Sequence, residues 1–182
     1  MANAIEAKQT IPNPKMASGR VVNAVAEMLN RQLHIPNIYL KPELPGAHSV
    51  DILAVDRAGS GDLHAVKILI AALAGPKALG LELLVALSRA KRDPFHFYYL
   101  VVPAGAVTEE RGLRLVKAAD LFDDSGIGRV GIVALQSELQ VAGDPPQARL
   151  VVKPERFRMR EDSLKRIERF LEKTKPDMAV RI

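Results

Sequence analysis

The sequence predicts an α/β domain with a mixed central sheet flanked by helices, and three observations carry that reading. Apolar segments at helical spacing alternate with short β-branched and aromatic runs along the chain. Some of those runs are almost continuously apolar, as in strands covered on both faces. The loop Asp56-Arg57-Ala58-Gly59-Ser60-Gly61 is short enough for an antiparallel hairpin, whereas helical segments between the strands after residue 70 predict parallel neighbours.

Residues 1–17 are polar, contain Pro12 and Pro14, and read as a flexible arm. A helix is expected from Ser18 to Leu33, capped by Ser18, with Val21, Val25, Met28 and Leu29 on its stripe and Pro36 beyond its end. Residues 37–44 form a short strand, with Pro42 at an edge or bend. Strands follow over 49–55 and 63–71. Pro76 opens a second helix with a stripe of Leu79, Leu83, Leu84 and Leu87, and Lys91 and Arg92 suit its C-terminal end. Residues 94–105 are a strong strand, Thr108 caps a third helix, and 128–136 form the next strand. A loop at 141–148, a short edge strand at 149–153 and an amphipathic helix from Arg160 to Lys175 with Leu164, Ile167 and Leu171 complete the order. The organisation expected is an arm (1–17), a main domain (18–150) and a basic strand and helix (151–182) packed on it.

With 182 residues and 48% hydrophobic content, the chain can bury a core without staples. It has no cysteine, which excludes disulfides and thiolate metal sites and fits a cytoplasmic address. Nothing approaches the roughly 18 apolar residues of a membrane span, and the first residues lack the apolar stretch of a signal peptide. The formal net charge of +5 favours anionic partners such as nucleic acid. From Val151 to Lys175 nine Lys or Arg face five Asp or Glu, a surplus of four. Arg156, Arg158, Arg160, Lys165 and Arg169 are therefore the candidate phosphate contacts.

Two charged residues stand out in the hairpin. Asp51 lies near the start of one apolar strand, and Lys67 lies near the end of its partner, within Ala65-Val66-Lys67-Ile68-Leu69-Ile70. A lysine in such a strand must snorkel, pair or serve a site, and Asp51 is its natural partner. By the two-residue period Lys67 shares a face with Ala65 and Leu63.

The order of a helix, three strands, a helix and a strand, with Asp51 before the Gly-containing hairpin and Lys67 after it, resembles the restriction-endonuclease-like, or PD-(D/E)XK, superfamily. The resemblance spans residues 18–135, including the later strand, helix, Gly-containing turn and strand. It implies a core of αβββαβ order, with an extra helix and strand and the basic C-terminal helix added. It also implies a Mg2+ centre. There Asp51, the Val66 carbonyl and a second acid would hold the ion against a scissile phosphate, and Lys67 would orient the attacking water. The family pattern has an acid or Gln two positions before the lysine, where this chain has Ala65. Glu82, at the edge of the second helix's stripe, or Glu27, opposite the first helix's stripe, would have to stand in. Otherwise the site is inactive and the fold serves binding or assembly.

Other chemistries lack their signatures. His34, His48, His64 and His96 show no zinc-ligand spacing. Gly59-Ser60-Gly61 is a turn without a Walker lysine, and Gly126-Ile127-Gly128 enters a strand instead of leaving one. Ser88 and Ser125 lack an esterase elbow. The expectations are a Mg2+-dependent DNA nuclease with a relocated acid, or an inactive nuclease-fold module that binds DNA or assembles as a homodimer or with another protein. A small protein-interaction subunit without a nucleic-acid role is the third.

Overall fold

Strands that are apolar on both faces need cover on both sides, and the fold supplies it with one helical layer on each. The computed structural model describes residues 14–56, 61–69, 76–104, 107, 117, 128–136, 146–157, 159 and 161–179. Its elements are α1 (Pro14–Leu33), β1 (Asn37–Leu40), β2 (Ile52–Val55), β3 (Leu63–Ile68), α2 (Pro76–Ala90), β4 (Phe97–Pro103), β5 (Gly131–Gln136), β6 (Gln147–Val152), α3 (Glu161–Leu171) and β7 (Met178–Ala179). The seven strands form one sheet in the order β6-β5-β4-β3-β2-β1-β7.

The sheet is mixed. β1, β2 and β3 make an antiparallel meander. β3, β4 and β5 run parallel, and β6 and β7 are antiparallel edges. A parallel step needs a crossover, and α2 provides it between β3 and β4. The third helix expected after Thr108 falls almost wholly outside the described residues.

Alternate residues of the strands feed two cores. Ile52, Ala54, Val66, Ile68 and Tyr99 pack with Val22, Val25, Ala26, Met28 and Leu29 of α1. Leu53, Val55, Leu63, Ala65, Tyr98 and Leu100 pack with Ala86, Leu87 and Ala90 of α2 and Ile167 and Leu171 of α3. Burying one such Leu or Ile side chain contributes about 1.5–3 kcal/mol. Among the described residues, no helix is long and apolar enough to cross a membrane.

Several boundaries differ from the sequence expectation, each for a local reason. α1 starts at Pro14, whose missing N–H is harmless in a first turn, so Ser18 is inside the helix and does not cap it. The chain leaves α1 through His34 in the left-handed region (φ 55), and the Ile35 N–H donates back to the Leu29 carbonyl at 3.2 Å. β1 ends at Leu40 because Lys41 is also left-handed (φ 47). On α2 the small Ala86 and Ala90 meet the sheet beside Leu87, while Leu84 is 66% exposed, which corrects the expected leucine stripe. β7 was not expected. It is held to β1 by pairing and by the Leu40 N–H, which donates to Asp177 Oδ2 at 2.7 Å.

The entry to β5 depends on one glycine. Gly128 has φ +106, and a Cβ there would lie 3.0 Å from the Arg156 carbonyl oxygen. That approach lets the Glu155 N–H reach the Arg129 carbonyl at 2.9 Å, and the Phe157 N–H reaches the His96 carbonyl at 2.7 Å. Gly128→Ala is expected to destabilise the fold by about 1–3 kcal/mol through backbone strain and overpacking, read as a lowered urea midpoint.

Candidate functional site

Pairing of Ile52 with Val66 puts Asp51 and Lys67 opposite each other one step further, on the face shared by Leu53 and Ala65. Lys67 Nζ lies 3.1 Å from Asp51 Oδ2, and the Ile68 N–H donates to the same oxygen at 2.8 Å. The Asp51 backbone is fixed as well. Its N–H donates to the Val66 carbonyl and its carbonyl accepts the Lys41 N–H, both at 2.9 Å. The two side chains are 19% and 21% exposed, so the pair is largely withdrawn from water and removal of either partner leaves a poorly solvated charge.

This donor set does not fit a Mg2+ centre. Mg2+ demands oxygen ligands in near-octahedral array. Asp51 Oδ2 already takes two donors, and the Val66 carbonyl is engaged in the ladder. Ala65 is fully buried and brings only a methyl group. Glu82 lies on α2, which covers the same face, and is half-buried. Glu27 is not brought to this site. It lies on α1, which covers the opposite face, is exposed and pairs with Arg31 at 2.7 Å. Among the described residues, no group of three or more His, Asp or Glu is arranged to hold a metal ion.

The candidate phosphate contacts also divide. Arg156 donates through Nε and Nη2 to Asp62 Oδ1 at 3.2 and 2.8 Å, so its charge is answered within the chain. Lys165 and Arg169 are exposed on α3, whereas Arg158 and Arg160 lie outside the described residues.

A second polar cluster occupies the other end of β3. The His64 ring stacks on Phe97 (centroids 4.6 Å apart) and on Tyr99 (5.9 Å), with Nδ1 3.0 Å from the Tyr99 hydroxyl. Burial pushes His64 down to about 4, outweighing the opposite pull of Asp56 and Asp62. Burial also lowers His96 and raises the Tyr99 hydroxyl. His96 Nδ1 accepts the Leu63 N–H at 2.9 Å, so that nitrogen carries no proton. Its 3.5 Å approach to Asp62 Oδ1 is therefore not a hydrogen bond. Burial works to raise Asp62, but the hydrogen bond and charge of Arg156 hold it below the ordinary carboxyl range. His64 and Tyr99 are 35 residues apart, so no local motif announces their pairing.

No family model matches this chain, and no curated protein matches it by sequence. Among solved structures, a protein of unknown function from Silicibacter pomeroyi is similar at 10% identity, with a TM-score of 0.47 and 86% of each chain covered.

Two outcomes test this geometry. Asp51→Ala is expected to cost about 1–3 kcal/mol, because it strands the Ile68 N–H and the Lys67 charge. Lys67→Met added to it should recover part of that loss, giving a non-zero coupling energy in a double-mutant cycle by denaturant unfolding. The unfolded His64 imidazole takes up a proton near 6.5, whereas the folded one resists until about 4. Stability should therefore be full above pH 6.5, fall between 6.5 and 4 by an amount on the order of 3 kcal/mol, and gain no further loss from this group below 4. In His64→Phe, pH-dependent unfolding should show a shallower slope across that window.

Proposed function

We propose that this chain is a restriction-endonuclease-like domain that binds nucleic acid, with DNA as the partner, and does not hydrolyse it. One observation carries the reading. Asp51 and Lys67 meet at 3.1 Å on neighbouring strands, while buried Ala65 stands where the family pattern has its second acid. The helix, antiparallel meander, crossover helix and parallel strand around them support the kinship. The net charge of +5 supports an anionic partner.

In this reading the lysine neutralises the aspartate and keeps the strand ends in register. Affinity comes from lysine and arginine contacts to phosphates, with release of counterions. Magnesium has no role in this reading, which is supported by the engagement of Asp51 Oδ2 with Lys67 and the Ile68 N–H. The half-buried Glu82 on the same face favours the alternative of a cleaving enzyme with a relocated acid.

A labelled DNA duplex should bind the protein with an affinity that falls steeply between about 50 and 200 mM salt. Incubation with Mg2+ or Mn2+ should leave the duplex intact. Cleavage by the wild type that is lost in Asp51→Ala would sink the non-catalytic reading, and loss of Glu82-dependent cleavage would assign the acid. Absence of binding at low salt would remove the nucleic-acid role.

A further inference from the structure

The connection between β1 and β2 starts beside the Asp51–Lys67 pair, since the Lys41 N–H donates to the Asp51 carbonyl. It then crosses the α2/α3 face of the sheet, with Leu44 and Val50 buried in that core and Ala47 packed against it. Its far end is pinned from below. The His48 N–H and ring Nδ1 both meet Asp93 Oδ1, at 3.0 and 2.7 Å. The Asp93 side chain is only 2% exposed, and its Oδ2 is buried without a hydrogen-bond partner among the described residues. A buried carboxylate with one orphaned oxygen depends heavily on the contacts that remain, so His48 is held firmly by Nδ1. The ring is still 44% exposed.

Two exposed arginines from other elements lie next to this pinned loop, one adjoining its anchor Asp93 in the chain and one reaching Gly46. Arg92 is exposed and directly precedes Asp93. Arg166 of α3 reaches across to Gly46, with Nη1 3.8 Å from where a Cβ on that glycine would lie. At 100° per residue Arg166 and Arg169 fall on one flank of α3 with Asp162 between them, while Lys165 lies nearer Glu161 and Glu168. Glu43 is the acidic residue of the loop itself.

We propose that residues 41–48, with Arg92 and Arg166 next to them, form the surface on which the phosphates of a DNA backbone run, leading the strand past the Asp51–Lys67 pair. The proposal rests on the nucleic-acid reading above and assigns it a place. Arg156, satisfied by Asp62, is not part of that surface. Rigid attachment of the loop limits the entropy lost when phosphates bind.

Salt titrations of a short labelled DNA duplex, read by fluorescence anisotropy, test the assignment. Arg92→Ala and Arg166→Ala should each weaken binding several-fold and lower the slope of log affinity against log salt by about one. The double variant should lose both increments, and Arg149→Ala on the distant edge strand β6 should lose neither. Both arginines are exposed, and thermal melts matching the wild type would show that the variants fold. If the wild type binds and the double variant keeps its affinity and slope, this surface is wrong while nucleic-acid binding stands. If the wild type does not bind, both fall together.

Discussion

β3 is the strand on which both halves of the sheet depend. Three strands lie to each side of it, and it takes an antiparallel ladder from β2 and a parallel one from β4. A central strand must be apolar on both faces, and five of its six residues are buried. The two polar side chains it does carry, His64 and Lys67, are each answered by a neighbouring strand, through Tyr99 and Asp51. Without those partners the strand would hold an unpaired imidazole and an unpaired ammonium in the interior, each costing as much as several good contacts contribute.

The same requirement explains the character of the two ends of β3. At one end, Asp51 is fastened by its own backbone and by the Ile68 N–H, so the pair is a rigid element of the sheet. A carboxylate so committed is a good strand lock and a poor ligand for a hard cation. At the other end, the aromatic stack around His64 keeps the ring neutral, while Arg156 and Asp62 tie the segment before α3 to the start of β3. Functional and structural roles for Asp51 and Lys67 look alike in sequence because both require the same contact. The difference lies in which other oxygens stand nearby.

Element types and order were legible because hydrophobic periodicity is a local property. The hairpin over 56–61, the crossover by α2 and the edge position of residues 149–153 all follow from loop length and pattern. The opposition of Asp51 and Lys67 was legible too, because a short hairpin fixes register. Boundaries were less legible. Lys41 and His34 end their elements by adopting left-handed backbone, a choice that composition does not announce. The burial of Ala86 and Ala90 in preference to Leu84 depends on how closely α2 approaches the sheet.

By itself the sequence determined the α/β class, the antiparallel hairpin followed by parallel strands, and the charge pair at 51 and 67, because each rests on residues near one another in the chain. Only the tertiary structure decided that Glu27 belongs to the opposite face, that Arg156 is spent on Asp62, and that His48 is anchored to Asp93 across 45 residues. Those facts arise from the packing of helices on a sheet. Packing joins residues distant in the chain, and it sets which charges are satisfied inside the fold and which remain for a partner.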